Sequence, residues 1–248
     1  GDDGLGLNLD DDTVQIDNGI TSATMTIEGE GGAGGQGANG GANGRSGADA
    51  STTINTLTAA GLTSLAITAS NSSNITFSNI DAEDLETITL DGGNSSDSVD
   101  TVTLNDGSGD TTSLTSVDAS SLDAGLQIGS GGAIAFASNA SVTGGSQDDT
   151  INWAINANSS VVLDAGSEGS SGDDLILRGG QNIGGGIIDL TKDDQVVQMN
   201  GQTSSSVQAG FENVDASAVT DNGNAINMTG NSADNTFVGT SAGDIING

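Results

Sequence analysis

The stretch GNSADNTFVGTSAGDIING, residues 230–248, repeats a unit of nine residues. Glycine opens each unit, a short oxygen-bearing side chain holds the sixth place, and an apolar side chain holds the eighth. The residues at these places are Gly230, Gly239 and Gly248; Asn235 and Asp244; and Phe237 and Ile246. Self-similarity at a fixed period is typical of stacked supersecondary units. The stretch therefore predicts a repeat architecture.

Three earlier windows follow the same pattern. They read GGNSSDSVD at 92–100, GGSQDDTIN at 144–152 and GSSGDDLIL at 169–177. Their sixth residues are Asp97, Asp149 and Asp174, and a second aspartate, Asp148 or Asp173, precedes the sixth place in the last two. Their eighth residues are Val99, Ile151 and Ile176, which we expect to point into the core with Phe237 and Ile246.

Short runs of Thr, Val, Ile and Leu with a period of two lie between clusters of Gly, Asn, Asp and Ser. Such runs at spacings of about 10 to 12 residues are typical of all-β architectures. No long stretch shows an apolar period of 3.6 residues, so we expect little helix. The sequence predicts an all-β, parallel β-helix or β-solenoid-like stack. Its predicted strands include 13–16, 23–28, 62–68, 74–78, 85–90, 100–104, 133–137, 195–199 and 225–229.

The nine-residue unit resembles the RTX nonapeptide, G-G-x-G-x-D-x-U-x, a Ca²⁺-binding β-helix repeat. The match is partial, because only Gly172 keeps the fourth-place glycine and only two units, at 230–247, stand in tandem. In style, residues 55–248 are most similar to RTX-type surface-layer proteins, and next to RTX adhesins. The resemblance implies RTX-like turns, secretion without a cleaved N-terminal signal, and folding on contact with calcium outside the bacterial cell.

The resemblance also implies a set of calcium ligands. Aspartate oxygens and turn carbonyls suit this hard cation, and each turn would supply part of a site shared with its neighbour. The implied ligands are Asp97, Asp148, Asp149, Asp173, Asp174, Asn235 and Asp244. The alternative is that these residues only cap their turns.

The composition excludes several classes of protein. The 248 residues carry 34 acids against three basic residues, a net charge of −31, so nucleic acid is excluded as a partner. There is no cysteine and no histidine, which removes disulfides, thiol chemistry, the Ser/His/Asp triad and ordinary zinc sites. No run is long enough to span a membrane.

Catalysis by paired carboxylates is a weaker hypothesis. Asp148 with Asp149, or Asp173 with Asp174, could in principle act as acid and base on a glycan. Sequence neighbours on a strand point to opposite faces, however, and aromatic residues make up only 2% of the chain. We therefore predict that the protein is not an enzyme.

A second internal repeat consists of IDAEDL at 80–85, VDASSL at 117–122 and VDASAV at 214–219. We interpret it as a structural corner in which Asp81, Asp118 and Asp215 accept hydrogen bonds from backbone amides. Contact of these aspartates with a metal or a partner is the alternative.

Four segments are expected along the chain. Residues 1–30 form an N-terminal β segment, and 31–50 a Gly-rich loop that contains Arg45. Residues 51–229 form the solenoid-like region, and 230–248 begin RTX nonapeptides as part of a longer chain. The Gly-rich segment is either a flexible loop or an extended helix with three residues per turn.

Together these features predict a calcium-stabilised extracellular structural protein that assembles with its own copies into a surface layer or filament. Acidic turns such as 10–12 are expected among the contacts between copies, and a cell-surface glycan is a further candidate partner. The alternatives are an RTX adhesin and the non-catalytic RTX segment of a secreted enzyme.

Overall fold

The computed structural model describes fourteen parts of the chain and shows only strands, turns and bends in them. The prediction of an all-β, solenoid-like stack is confirmed. The described residues are 12–28, 51–70, 74–92, 101–107, 109, 111–130, 134, 136–154, 160–167, 169–179, 186–199, 202–204, 206–219 and 225–248. Asp97, Val99, the acidic residues 10 and 11 and the Gly-rich segment with Arg45 lie outside them.

The largest sheet, sheet A, has ten strands paired in parallel. Along the sheet its strands follow one another from the N-terminal to the C-terminal part of the chain. They are β1 (Asp12–Gln15), β3 (Thr52–Thr58), β5 (Asn74–Phe77), β8 (Thr101–Leu104), β10 (Gly125–Ile128), β12 (Thr150–Ala154), β14 (Asp174–Gly179), β19 (Asn213–Val219) and β21 (Phe237–Val238), with β6 (Ile80–Asp81) also paired to β3.

Two smaller sheets complete the stack. Sheet B is parallel throughout and consists of β2 (Ser22–Glu28), β4 (Ser64–Ser70), β7 (Thr87–Gly92), β9 (Leu114–Leu122), β11 (Phe136–Thr143), β13 (Val162–Asp164) and β18 (Val207–Ala209). Sheet C contains β15 (Ile187–Asp189), β16 (Val196–Met199), β17 (Gln202–Thr203), β20 (Asn227–Thr229) and β22 (Ile245–Asn247). Only the pairs β15–β16 and β16–β17 are antiparallel among the described strands.

We call each turn of the stack, which contributes one strand to a sheet, a coil. Hydrogen bonds between successive coils join residues that are usually 23 or 24 positions apart. The separation rises to 42 between Thr63 and Thr21, across the Gly-rich segment, and to 39 between Asp173 and Glu212. In the last coil it falls to 18, between Ile226 and Asp244. This is the length of two nonapeptides, so the tandem repeat at the C-terminal end sets the size of its own coil.

The core consists of columns of inward side chains, one residue from each coil. Strands alternate their side chains between two faces, and parallel pairing places the inward residues of successive coils in register. The longest column runs through sheet A and is fully buried except at its last member. It contains Ile54, Phe77, Leu104, Ile128, Ile151, Leu175, Val214 and Phe237.

The eighth places of the nonapeptides do not all point inward. Ile151 is fully buried as predicted. Ile176 is half-buried and points away from the core, whereas Leu175 is buried. The cause is that the window 169–177 is shifted by one residue in the strand pairing. Thr150, seventh in its window, pairs with Asp174, sixth in its own, so Ile151 pairs with Leu175.

Two of the three predicted corner aspartates accept backbone hydrogen bonds at irregular points within strands. Asp118 accepts hydrogen bonds from the amide and hydroxyl of Ser120, at 3.0 and 2.7 Å. Asp215 accepts one from the amide of Ser217, at 2.8 Å. The pairing registers of β9 and β19 shift at these points, as expected of β-bulges. The VDAS phrase is therefore a bulge held by its own aspartate.

The core columns generate a test with a matched pair of isoleucines. Ile151→Ala removes a side chain from the buried column and should cost about 2–5 kcal/mol of unfolding free energy. Ile176→Ala, on the neighbouring coil, should cost less than about 1 kcal/mol because the side chain lies on the outer face. Urea unfolding curves measure both, and equal losses would show that the register is wrong.

Candidate functional site

The nonapeptide turn is closed by a hydrogen bond between its second and sixth residues. The amide of Gly145 donates to Asp149 Oδ2 at 2.7 Å, and the amide of Thr240 donates to Asp244 Oδ2 at 2.6 Å. In the third such turn the amide of Asn231 donates to the side-chain oxygen of Asn235 at 2.8 Å. The sixth side chain thus folds back over the start of its own turn.

This fold-back explains why glycine opens the units at 144, 230 and 239. A Cβ at Gly239 would collide with the Asp244 carboxylate, and one at Gly230 with the side-chain oxygen of Asn235. At Gly144 a Cβ would collide with Asp149 and also with the backbone carbonyl of Ala165. The oxygen-bearing side chain can therefore fold back only where the residue five positions earlier is glycine.

The same carboxylates also tie neighbouring coils together. Asp149 Oδ1 accepts the amide of Leu126 at 2.5 Å, and Asp244 Oδ1 accepts the amide of Ile226 at 2.8 Å. Each donor belongs to the preceding coil. A sixth-place carboxylate thus satisfies one amide in its own turn and one in the coil before it.

Three acidic residues continue this contact as a column, which we call the acid column: Asp149, Asp173 and Glu212. The amide of Asp149 donates to Asp173 Oδ1 at 2.7 Å, and the amide of Asp173 donates to Glu212 Oε2 at 2.9 Å. Asn235 follows on the next coil, where its amide nitrogen donates to the carbonyl of Glu212 at 2.9 Å. Asp149 and Asp173 are almost wholly buried.

The acid column corrects the alignment of the third nonapeptide. Asp173 occupies the position equivalent to Asp149, whereas Asp174 pairs with Thr150 and is half-buried. Glu212 lies outside every nonapeptide window, so the motif gave no sign of it. Its only sequence signal is its place just before the VDASAV phrase.

Asp148 connects the acid column to the turn of the following coil. Its Oδ1 accepts the amides of Ser171 at 2.9 Å and Gly172 at 3.1 Å. Gly172 has a φ of +81°, a conformation that favours glycine. The two side chains therefore point in different directions. Asp148 binds the turn of the following coil, whereas Asp149 points into the stack.

Burial makes ionisation of the acid column costly. Burial, together with the nearby charges of Asp149, Glu212 and Asp148, raises the pKa of Asp173 to about 8, although the hydrogen bond from the Asp149 amide acts in the opposite direction. Burial likewise raises the pKa of Asp149 to about 6. Asp173 Oδ2 is buried and has no hydrogen-bond partner. Burial also raises the pKa of Asp174.

As arranged here, the carboxylates act as acceptors for backbone amides. Among the residues that the structure describes, no three Asp or Glu side chains form a group that could hold a metal ion. Carboxylate oxygens are nevertheless the donors that Ca²⁺ prefers, and Asp173 Oδ2 offers one without a competing partner. The calcium ligands stay a prediction, and Asp97 lies outside the described residues.

Comparison with protein-family models, curated proteins and solved structures found no match to this chain. The described part of the chain contains no helix that could span a membrane.

The fold-back over glycine predicts a position-specific cost. Gly144→Ala should destabilise the fold by more than about 2 kcal/mol, because the new methyl group meets a backbone carbonyl that cannot move alone. Gly243→Ala is the matched control, since a Cβ there meets nothing within 4 Å. It should leave stability unchanged or raise it by up to about 1 kcal/mol. Thermal melts of the two variants measure the difference, and a tolerated Gly144→Ala would contradict the turn geometry.

The acid column predicts an unusual pH dependence. A carboxyl group whose folded pKa lies above its unfolded value of about 3.9 favours the folded state below that value, and this contribution is lost as pH rises through the folded pKa. For Asp173 the loss extends to about pH 8. Stability measured in chelator should therefore fall between pH 6 and 8, where ordinary carboxylates no longer titrate.

Asp173→Asn should remove most of this slope, because the amide oxygen still accepts the Asp149 amide and no charge is buried. The exposed Asp84→Asn serves as control and should keep the slope. Urea midpoints at several pH values measure the slope of stability against pH. A wild-type stability that stays constant from pH 6 to 8 would refute the raised pKa of Asp173.

Proposed function

We propose that this chain is a calcium-stabilised structural protein of the bacterial cell surface, where it assembles with its own copies into a layer or filament. The observation that carries the proposal is the acid column, in which Asp149, Asp173 and Glu212 lie in one line through successive coils. A structure of this kind keeps acids close together in a chain that already has a net charge of −31.

Charge repulsion is the reason for assigning a cation to the fold. Like charges on a compact chain oppose folding unless a counter-charge reduces the repulsion. Three basic residues are too few to balance 34 acids, so an external cation is the natural source. A cation bound only by the folded chain stabilises it by mass action, which makes folding conditional on the medium.

Calcium fits the available donors better than magnesium does. Ca²⁺ accepts six to eight oxygen ligands in flexible geometry, whereas Mg²⁺ requires near-ideal octahedral geometry and loses water reluctantly. The proposed ligands are those that the nonapeptides imply, with each turn supplying part of a shared site through its carbonyls and side chains: Asp97, Asp148, Asp149, Asp173, Asp174, Asn235 and Asp244. A chain that folds on meeting calcium would remain open before secretion and fold outside the cell.

The stack itself supports a structural role. The described strands of sheets A and B pair in parallel between successive coils, as in other repeat proteins, and such stacks grow in one direction without a large globular core. The buried side chains are mostly aliphatic. An extended, regular body of this kind suits a layer or filament, with a cell-surface glycan as a further proposed partner.

Calcium should therefore stabilise the protein and promote its assembly. Millimolar Ca²⁺ should raise the melting temperature well above the value in chelator, and equal Mg²⁺ should raise it much less. Electron microscopy of the same samples should show ordered assemblies in Ca²⁺ that chelator dissolves and moderate NaCl does not.

Equal melting temperatures in chelator and Ca²⁺ would refute the calcium requirement. Soluble, unassembled particles in Ca²⁺ at every concentration would refute the structural role. Asp173→Asn tests whether calcium acts through the acid column. Ca²⁺ should raise the melting temperature of this variant less than that of the Asp84→Asn control.

A further inference from the structure

The outer edge of β18, the last strand of sheet B in the described part of the chain, is covered by the loop between β15 and β16, residues 190–195. The neighbours of Gln208 on β18 make their backbone hydrogen bonds toward β13, so the amide and carbonyl of Gln208 face the opposite edge. There the amide of Gln195 donates to the Gln208 carbonyl at 2.8 Å, and the Asp194 carboxylate accepts the Gln208 amide. A side chain of the loop thus takes the place of the carbonyl that a further strand would supply.

Two oxygens at this contact are buried and have no hydrogen-bond partner: Asp194 Oδ1 and Gln208 Oε1. Gln208 is wholly buried and lies on the inward face of sheet B, where it pairs with Leu163. Its Nε2 donates to the carbonyl of Val161 at 3.4 Å, which directs Oε1 away from that carbonyl. Because the Asp194 carboxylate is bonded to the Gln208 backbone, the two oxygens belong to residues in direct contact. A buried acceptor without a donor is costly, so this contact needs a donor.

Three kinds of occupant would satisfy both oxygens, and they differ in the room and the ligands that they require. A metal ion does not fit, because Ca²⁺ takes six to eight oxygen ligands and Mg²⁺ requires octahedral geometry, whereas this contact offers two unpartnered oxygens. A buried water needs space of its own and two to four polar partners. A proton needs no space, since a protonated carboxyl group becomes a hydrogen-bond donor.

Few charged side chains lie on the elements packed against Asp194. β16 and β18 carry none, and those of the loop, the end of β15, β13 and the segment after β18 are Asp189, Lys192, Asp193, Asp164 and Glu212. The Asp189 and Glu212 carboxylates are bonded to backbone amides, at 3.1 and 2.9 Å, and the other three side chains are exposed. Burial is the cause that raises the pKa of Asp194, and the hydrogen bond from the Gln208 amide opposes it.

We infer that Asp194 is protonated in the folded protein and donates a hydrogen bond from Oδ1 to Gln208 Oε1, which closes the loop 190–195 on β18 as a proton-dependent clasp. The proton comes from solvent and leaves the carboxyl group uncharged, so both buried oxygens gain a partner. Loss of the proton leaves a buried negative charge beside a second acceptor, and the loop separates from β18. The amide and carbonyl of Gln208 then form an open strand edge, which can pair with other strands. The inference depends neither on calcium nor on self-assembly.

NMR of the carboxyl carbons in the wild-type chain tests the protonation directly. The Asp194 Cγ resonance, assigned by its absence from Asp194→Asn, should titrate at a higher pH than in the urea-unfolded chain, where the midpoint is about 3.9. A midpoint at or below the unfolded value would overturn the inference and would indicate a buried water between two acceptors.

Hydrogen exchange in chelator measures the opening of the clasp. A carboxyl group with a raised folded pKa stabilises the folded form at low pH, and this contribution is lost as pH rises through that pKa. Above the Asp194 midpoint, the protection factor of the Gln208 amide should therefore fall by about tenfold per pH unit. The Val207 amide, which bonds to Val161 at 3.0 Å within sheet B, should change much less. Equal losses at both amides would show that the whole stack opens and would refute the clasp.

Asp194→Asn should hold the clasp closed, because its Nδ2 donates to Gln208 Oε1 at every pH while its oxygen still accepts the Gln208 amide. Protection of that amide should then be independent of pH. Asp193→Asn is the matched control, since Asp193 is the exposed neighbour and the change in charge is the same. The control should keep the wild-type dependence on pH, and identical behaviour of the two variants would refute the role of Asp194.

Discussion

The hydrogen bond from a backbone amide to an acidic side chain on the following coil is the contact on which this stack depends. In the acid column, Asp149 binds the amide of Leu126, and the next two acids continue the series. Asp244 makes the same bond to Ile226 at the other end of the nonapeptide series. A buried amide without a partner is costly, and coils of irregular length leave such amides where the ladder is interrupted. The acids supply the missing acceptors.

This use of carboxylates has an electrostatic consequence. An oxygen that accepts a buried amide must itself be buried, which is why the pKa of Asp173 rises to about 8. The bond that joins two coils thus also creates a group that gains by binding a proton or a cation. The structural role of Asp173 and the proposed ion dependence therefore rest on the same residue, and the acidity of the chain is part of its architecture.

The repeat period and the strand alternation were sufficient to predict the fold class, and each of the nine runs predicted as strands overlaps a strand of the structure. Residues 74–78 and 195–199 match β5 and β16 closely, whereas the run 133–137 barely overlaps β11. The acid column was only partly predictable. Asp149 follows from the motif, but Asp173 replaces Asp174 because the turn at 169–172 differs by one residue from the motif. Glu212 could not be found, since 39 residues separate it from Asp173 and no fixed spacing relates the two.

Asparagine side chains show that the stack has a direction. Where the carboxylates accept amides from the preceding coil, asparagines donate to its carbonyls, as Asn152 does to Ile128 and Asn235 to Glu212. In these bonds the side chain lies on the later coil and the backbone group on the earlier one, whereas Asp148 accepts amides of the following coil. A later coil thus brings side chains that complete the backbone hydrogen bonds of the one before it. The two sides of such a coil are therefore chemically different, because one presents side-chain donors and acceptors and the other presents the backbone amides and carbonyls that they bind.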